Sequence, residues 1–330
     1  MTHQTTLPQE LSRPLLAGAF LSDTDRDRLL AALPRAEDPE LAALARAADA
    51  IRRARLGNAA SLCAIISAKS GRCGENCAFC AQSGHHHTSA PQYPFLAPER
   101  IVAAAKAMHD AGVARFGIVA SGKALPRAEL EHAATAIAGL KAFGMAADAS
   151  FGVLPDDALA RLKSAGLAAY HHNLETSRAF YPRICTTRSF EDNLAVLRTC
   201  KRLGIPVCSG GLFGMGESWA DRADLAQTLL EAGVMSVPIN FLSPIPGTPL
   251  ESRPPLAPGE ATRIVILLRF LLPDRHLRIC GGRPTVYGAT APLAPMTAGA
   301  DGLMVGDYLT TSGGTLEADK AGLAKLGFSL

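Results

Sequence analysis

Strand-like and helix-like segments alternate along this chain from about residue 60 onward, and this rhythm limits the possible folds more than any other feature. Short apolar or β-branched runs recur at a spacing of roughly thirty residues, with helical patterns between them, as in repeated βα units. We count eight predicted strands, at residues 61–67, 115–121, 145–151, 168–173, 206–210, 235–241, 277–281 and 302–306. Eight βα units close a parallel barrel, so we predict an α/β protein with a (β/α)8 TIM-type barrel. A doubly wound sheet, which needs no closure, is the alternative.

The first 58 residues hold helical patterns without strands, including a segment at 38–56 that opens with Asp-Pro-Glu, a common helix start. We predict that residues 1–58 form a helical extension packed on the barrel. Residues 59–330 are then expected to form the barrel with a C-terminal segment.

Composition narrows the class of protein. The net charge of +3 is small for 330 residues and the basic residues are scattered, so no footprint for nucleic acid is visible. The most apolar later stretch, residues 264–272, is interrupted by Arg269 and is too short to span a membrane. The N-terminus lacks a basic-then-apolar signal pattern, so we expect a soluble cytoplasmic protein. Its eight cysteines are then better explained as ligands and core thiols than as disulfides.

Three of these cysteines stand close together in the loop after the first predicted strand. Cys73, Cys77 and Cys80 have Cx3CxxC spacing, which supplies three thiolates and no fourth. Closed zinc sites nearly always use four protein ligands, whereas a cubane iron-sulfur cluster held by three cysteines leaves one iron open. We therefore predict a 4Fe-4S cluster. The alternative is zinc, with a fourth ligand from the tract His85 to His87.

The cysteine loop resembles the signature of radical S-adenosylmethionine (SAM) enzymes, in which the open iron chelates the amino and carboxylate groups of SAM. Phe79 fits the aromatic residue that is usual before the last cysteine, and the resemblance implies that it lies at the cofactor site. It further implies that an external donor such as flavodoxin or ferredoxin reduces the cluster.

Four further segments make the resemblance more specific. They are YHHNLETS at 170–177, FYPRICTTRSFEDN at 180–193, VCSGGLFGMGE at 207–217 and SVPINFLSPIPGTPLE at 236–251. Together they resemble the biotin synthase family, in the same order, from about Cys63 to a region near Ser312. The resemblance implies a sulfurtransferase that cleaves SAM to methionine and a 5'-deoxyadenosyl radical and abstracts hydrogen at two carbons of dethiobiotin. Sulfur from a second, auxiliary iron-sulfur cluster then closes the ring. A homodimer is also implied.

The same resemblance assigns roles to individual residues. Asn173 and Asn240 are the expected dethiobiotin contacts, because a neutral amide can both donate and accept toward a ureido ring. Glu175 matches an acidic position whose carboxylate can accept from both ribose hydroxyls of SAM. Gly210 and Gly211 match a SAM-contacting turn, where missing side chains let the backbone approach the ligand. Ordinary strand-end polar residues and a glycine-rich turn are the alternatives.

This chain departs from the better-known branch of the family at the auxiliary cluster. Cys208 and Arg278 occupy two of the expected catalytic ligand positions on strands five and seven. The strand-two and strand-three positions, however, are Gly117 and Asp148. Glycine has no side chain to ligate, and aspartate is a hard oxygen donor poorly matched to a sulfide cluster. The usual 2Fe-2S site therefore cannot be built as in that branch.

Three other cysteines could replace the missing ligands. We hypothesise that Cys63, Cys185 and Cys208 hold a differently built auxiliary cluster, with Arg278 or Cys280 adjacent or completing it. Arg278 and Cys280 share a face of their strand because side chains alternate. Some of these cysteines could instead be buried structural thiols, the fate we expect for Cys200.

Two other functions fit parts of the pattern. The missing strand-two and strand-three cysteines leave room for another radical SAM barrel enzyme, one that rearranges amino acids or matures a metal cofactor. A zinc-stabilised barrel that binds a small molecule is the non-enzyme alternative.

Overall fold

Nine parallel strands form one continuous sheet in the computed structural model, which describes residues 6–307 and 314–330. The sheet order is β5-β4-β3-β2-β1-β9-β8-β7-β6, and β5 also pairs with β7, which closes the sheet into a barrel. The strands are β1 (Ser61–Lys69), β2 (Arg115–Ala120), β3 (Ala146–Ser150), β4 (Ala169–His171), β5 (Val207–Cys208), β6 (Gly211–Phe213), β7 (Ser236–Phe241), β8 (His276–Ile279) and β9 (Gly302–Met304).

The fifth strand of the barrel consists of two pieces: β5 lies within the predicted segment 206–210, and β6 follows directly after that segment. The break falls at residues 209–210, where β7 passes very close: a Cβ on Gly210 would lie 1.9 Å from the Pro238 carbonyl oxygen. With these two pieces counted together, the predicted eight-stranded barrel is confirmed, and each predicted strand overlaps an observed one. The part of the family resemblance near Ser312 lies outside the described residues.

Helices surround the barrel and precede it. They are α1 (Leu7–Leu16), α2 (Asp23–Ala32), α3 (Asp38–Leu56), α4 (Pro98–Asp110), α5 (Arg127–Ala142), α6 (Asp156–Ala165), α7 (Phe190–Arg202), α8 (Trp219–Glu231), α9 (Pro258–Leu271), α10 (Arg283–Tyr287) and α11 (Leu316–Lys325). Short 3-10 helices lie at Leu33–Arg35, Tyr181–Arg183 and Ala294–Ala298. Ser189 and Ser218 immediately precede α7 and α8, and their side chains cap the first turn of each helix.

The N-terminal helices pack on the side of the barrel where α9 lies. Helix α3 contacts both α9 and the 3-10 helix Ala294–Ala298. The C-terminal residues return to the start of β1, where Ala60 N donates to Ser329 O at 2.8 Å. No helix in the described ranges is both long and apolar enough to cross a bilayer.

A buried arginine on α9 stabilises the same region. Arg269 is fully buried and donates to the backbone carbonyls of Gly299, Leu272, Pro273 and Arg275. It also donates to a carboxylate oxygen of Asp301 at 3.0 Å, while the Asp301 side chain accepts from the backbone of β8. Because so many buried acceptors depend on one guanidinium, its removal leaves several of them unpaired.

We expect Arg269→Met to lower the free energy of unfolding by about 3–5 kcal/mol, because it removes the cation paired with the buried Asp301 carboxylate and leaves several carbonyls without a donor. Urea unfolding followed by circular dichroism measures the change. The matched control is Arg161→Gln, which removes an exposed ion pair to Glu131 and should leave the unfolding midpoint unchanged. Equal effects of the two substitutions would contradict the assigned role of Arg269.

Candidate active site at the carboxyl ends of the strands

One cavity of about 400 Å³ occupies the interior of the barrel and opens toward the carboxyl ends of its strands. Its outer wall carries the cysteine loop, residues 73–80, which follows β1. Its inner wall carries three more cysteines, which we call the deep thiols: Cys63, Cys208 and Cys280. The cavity therefore has two separate groups of thiols: Cys63 lies near the start of β1, and the cysteine loop follows the end of that strand.

The cysteine loop is folded back on the residues that follow it. Cys73 N donates to Gln82 O at 3.0 Å, Gly84 N donates to Cys73 O at 2.7 Å, and Cys80 N donates to Cys77 O at 2.9 Å. All three loop cysteines are partly buried and line the cavity, and burial raises the pKa of Cys80 to about 11. Three soft donors that face one cavity fit a cluster in which each cysteine binds a different iron.

The histidine tract next to the cysteine loop hydrogen-bonds the loop backbone. A ring nitrogen of His85 hydrogen-bonds Gly74 O at 3.0 Å, and one of His86 hydrogen-bonds Cys77 O at 3.0 Å. A nitrogen that bonds a carbonyl must carry a proton, so these atoms donate to the loop backbone and are not free as ligands. Within residues 6–307 and 314–330, no three His, Cys, Asp or Glu side chains converge as a single-ion site.

The deep thiols surround Arg278. Cys63 and Cys280 are close enough to each other, to Cys208 and to the Arg278 guanidinium for their charges to interact. Burial raises the pKa of each of these thiols, and nearby Arg278 offsets part of that rise. Arg278 donates to Ser61 Oγ at 2.8 Å, but its buried Nε has no hydrogen-bond partner among the described residues. Three soft donors beside a buried unpartnered cationic donor fit an anionic iron-sulfur cluster.

The positions that lack cysteines are filled by other interactions. Asp148 forms a bidentate ion pair with Arg115, with oxygen to nitrogen distances of 2.5 and 3.0 Å. A Cβ on Gly117 would lie 3.0 Å from Ile65 Cγ2, so β1 packs tightly where a ligand would be needed. The two positions that lack the expected cysteine ligands are therefore occupied by an ion pair and by tight packing.

The structure does not bring Cys185 together with the deep thiols. It lies instead beside the cysteine loop: Ala78 N donates to the neighbouring Ile184 O at 2.8 Å, and the Cys185 sulfur lies 3.6 Å from Thr187 Oγ1. Cys280 occupies the place beside Cys63 and Cys208 that the sequence hypothesis gave to Cys185. Cys200 is fully buried on α7.

Glu175 enters the cavity from an uncommon backbone conformation. Its φ of 69° is in the left-handed region, which is rare for residues other than glycine. Hydrogen bonds to the glycine-rich break in the fifth strand hold it there: Glu175 N donates to Gly210 O at 3.1 Å, and Leu212 N donates to Glu175 O at 2.9 Å. Burial raises the pKa of its carboxyl group to about 7.

Both predicted amide contacts line the cavity and are held by the protein. Asn173 accepts from Gly210 N at 3.1 Å and donates to Glu175 at 3.3 Å. Asn240 accepts from Gly281 N at 3.0 Å and donates to Gly211 O at 3.3 Å. An amide has two donor hydrogens and two acceptor lone pairs, so each side chain keeps one donor hydrogen and one acceptor lone pair for a ligand.

The glycines of the predicted SAM turn lie behind the cavity wall, whereas Phe79 lies on it. A Cβ on Gly211 would be 2.6 Å from Glu175 O, so Gly210 and Gly211 let neighbouring backbone approach and thereby position Asn173 and Glu175. The amide groups of the following turn, residues 214–216, donate to the carboxylate of Glu217.

Sequence reasoning missed two charged residues of the wall, Glu75 and Arg188. Glu75 stands between the first two loop cysteines and is 3% exposed, and its Oε1 has no hydrogen-bond partner among the described residues. Arg188 donates to the Tyr181 hydroxyl at 3.4 Å. Burial lowers the pKa of its guanidinium, but the neighbouring Tyr181, Cys77 and Glu75 outweigh this effect, so the pKa is raised. Glu75 lies in the cysteine loop and Arg188 in the segment 180–193, so a charged side chain within those motifs was the signal that the sequence offered.

The barrel and its three-cysteine loop define a radical SAM enzyme. The Radical SAM superfamily model matches residues 68–229, and the model of the Biotin and Thiamin Synthesis associated domain matches residues 238–329. Biotin synthase of Nitratidesulfovibrio vulgaris (strain DSM 19637 / Miyazaki F) is 47% identical, over 85% of this chain and 79% of that protein. Biotin synthase of Geobacter sulfurreducens is 41% identical, over 98% of this chain and 97% of that protein. The chain therefore belongs to the biotin synthase family, which implies a 4Fe-4S cluster and SAM as cofactors.

Solved structures show the same fold at low identity. Methylornithine synthase superposes with a TM-score of 0.82 at 20% identity, covering 97% of this chain and 96% of that one. The FeFe-hydrogenase maturase HydG from Carboxydothermus hydrogenoformans gives 0.80 at 17% identity, covering 97% and 78%. At these identities the likeness concerns the fold alone.

His172, next to Asn173, supplies a pH-dependent contribution to stability. Its ring donates to Asn193 Oδ1 of α7 at 2.9 Å, and burial lowers its pKa to about 3. In the unfolded chain the ring has a pKa near 6.5. As the pH falls below 6.5, His172 is protonated in the unfolded chain but stays neutral in the folded chain. The free energy of unfolding therefore decreases as the pH falls through this window.

We expect wild-type protein to lose about 2 kcal/mol more unfolding free energy between pH 7 and pH 5 than His172→Gln loses. Glutamine keeps a donor toward Asn193 but does not titrate. Urea unfolding of both proteins at the two pH values measures the difference. An identical pH dependence would show that His172 is not buried in its neutral form.

Proposed function

We propose that this chain is a sulfurtransferase that inserts sulfur into dethiobiotin to form biotin, with the deep thiols and Arg278 holding the sulfur-donating auxiliary cluster. The observation that carries the proposal is the shared cavity: the cysteine loop, Glu175, both amides and the deep thiols all line it. A radical formed at the outer wall can thus reach a substrate that also faces a sulfur source at the inner wall. Membership of the biotin synthase family supports the same conclusion.

Each group on the wall has a task that its chemistry allows. Cys73, Cys77 and Cys80 hold the 4Fe-4S cluster, which when reduced supplies the electron that cleaves bound SAM. The Glu175 carboxylate accepts hydrogen bonds from the ribose hydroxyls of SAM, and Phe79 lies beside it on the cofactor wall. Arg188 adds a cationic donor near Cys77 and Glu175. Asn173 and Asn240 use their remaining donor and acceptor positions on the ureido ring of dethiobiotin.

The auxiliary ligand set is revised relative to the sequence hypothesis. We assign Cys63, Cys208 and Cys280 as ligands, because they lie within electrostatic range of one another at the inner wall. Arg278 is easier to accept as a hydrogen-bond donor to the cluster than as a ligand, since guanidinium remains protonated. Its unpartnered Nε is the group available for this bond.

The remaining expectations complete the proposal. Residues 1–58 act as a helical extension on a barrel formed by residues 59–330 with its C-terminal segment. The enzyme works in the cytoplasm as a homodimer and receives electrons from flavodoxin or ferredoxin.

The decisive experiment is turnover of dethiobiotin by anaerobically reconstituted protein supplied with SAM and a strong reductant. We expect biotin, methionine and 5'-deoxyadenosine by mass spectrometry. The absence of the usual strand-two and strand-three cysteines favours one competitor, a radical SAM enzyme with another substrate. SAM cleavage that dethiobiotin neither stimulates nor diverts into biotin would select that competitor. A colourless protein that binds zinc would contradict both.

Single substitutions test the revised ligand set. In Cys63→Ala, Cys208→Ala and Cys280→Ala we expect loss of the iron and sulfide of the second cluster and of biotin formation, while reductive SAM cleavage persists. The separation follows because Cys63 lies near the start of β1, whereas the cysteine loop follows the end of that strand. Iron and sulfide assays with Mössbauer spectra measure it, and Cys200→Ala is the control for loss of a buried thiol. Full retention of both clusters in all three variants would refute the assignment.

A further inference from the structure

Side-chain hydrogen bonds tie the cysteine loop to the loop that follows β4, and we call this attachment the clasp. Its members are Glu75 and Asn76 on one side and Thr186 and Thr187 on the other. The Asn76 side-chain oxygen accepts from Thr186 N at 2.9 Å and from Thr187 N at 3.3 Å. The amide nitrogen of the same side chain donates to Thr186 Oγ1 at 2.7 Å. One asparagine therefore satisfies two consecutive backbone amides and a hydroxyl group of another loop.

The hydroxyl of Thr187 joins both members on the other side. It accepts from Asn76 N at 3.0 Å and donates to Glu75 Oε2 at 2.5 Å. Glu75 is 3% exposed, and its backbone carbonyl accepts from Ser83 Oγ at 2.7 Å. A methyl group in place of this hydroxyl would remove both bonds and would leave a buried carboxylate oxygen without its donor.

The clasp attaches the middle of the cysteine loop to a different βα unit. The other hydrogen bonds of residues 74–79 go to the loop itself or to residues 83–86 directly after it. Across the ranges that the structure describes, their bonds to any other unit all reach residues 184–187, where Ala78 N also donates to Ile184 O at 2.8 Å. The clasp uses no cysteine sulfur, so it leaves the thiols available to iron.

This attachment bears on how firmly the loop holds a cluster. Asn76 directly precedes Cys77 and Ala78 directly follows it, so the backbone of the middle ligand is held on both sides. Fixing a backbone costs conformational entropy, and a loop that the protein already holds does not incur this cost when it binds iron. When a thiolate leaves its iron, a held backbone keeps the sulfur near enough to rebind, whereas a loose backbone lets the iron escape.

We propose that Asn76 and Thr187 are positioning residues of the cysteine loop, which hold Cys77 in place through the clasp and thereby slow the loss of iron from the first cluster. The assignment deepens the proposed function, because it concerns the cluster that the loop holds there. It also gives the loop after β4 a role at the first cluster that is separate from the deep thiols.

The test compares wild-type protein with Thr187→Val, Thr187→Ser and Asn76→Ala. Valine keeps the shape of threonine and removes the hydroxyl, whereas serine keeps the hydroxyl; the asparagine variant breaks the clasp from the other side. Thr135→Val is the matched control, because it removes a hydroxyl that donates to Glu131 O on the exposed face of α5.

Two measurements report on the clasp without relying on turnover. In anaerobically reconstituted protein, loss of the first cluster to an iron chelator is followed by EPR of the reduced enzyme with and without SAM, which identifies the cluster that has an open iron. In the full chain before reconstitution, hydrogen–deuterium exchange measures the opening of residues 74–79.

We expect loss of the first cluster to be about tenfold faster in Thr187→Val and in Asn76→Ala, since each breaks more than one hydrogen bond. Exchange of residues 74–79 should be faster in the same two variants. Thr187→Ser and Thr135→Val should match wild type in both measurements.

Unchanged cluster loss and exchange in both Thr187→Val and Asn76→Ala would overturn the inference alone. Cluster loss as fast in Thr187→Ser as in Thr187→Val would overturn the role of the hydroxyl. Failure of wild-type protein to assemble any cluster would instead overturn the proposed function, and the role of the clasp in iron retention with it.

Discussion

The closure of the barrel at β7 is the constraint on which the candidate site depends. Strand β7 pairs with β5 through Ser236 and with β6 through residues 239–241, so one strand bridges both halves of a broken neighbour. The break requires glycine, because Gly210 packs against the Pro238 carbonyl. It also supplies the backbone groups that hold Asn173 and Glu175 in the cavity. Barrel closure and ligand geometry are therefore consequences of the same close contact.

Closure also explains how one cavity keeps two groups of thiols apart. Parallel strands bring the loops that follow them to a single face, so the cysteine loop after β1 meets residues 184–187, in the loop after β4, at the outer wall. Of the deep thiols, Cys63 and Cys208 lie on strands, where side chains point alternately inward and outward, and Cys280 directly follows β8. Cys63, near the start of β1, and Cys208, opposite the first residue of β7, are thereby placed toward the amino ends.

The sequence predicted the eight-stranded barrel because strand and helix patterns alternate strongly, and it located the cysteine loop because its spacing is local. It could not place Cys185, because the course of the loop after β4 depends on side-chain contacts such as those of Asn76 with Thr186. The roles of Gly210 and Gly211 were equally hidden, since close approach to Pro238 arises only after closure. Arg188 was not predicted, because charged residues are common in loops and the sequence does not show that this one lines a cavity.

The absence of cysteine ligands on β2 and β3 can be explained by charge as well as by ligand chemistry. Arg115 is the register partner of Cys63 on β1, and it forms a bidentate pair with Asp148 on β3, so its charge is neutralised locally. Arg278 then remains the cation nearest to the deep thiols, beside Gly302, whose missing side chain leaves room for it. Three thiolates and sulfide carry net negative charge that burial would otherwise oppose. The auxiliary cluster that we propose is consequently favoured near β1, β5 and β8, where a positive charge is still available.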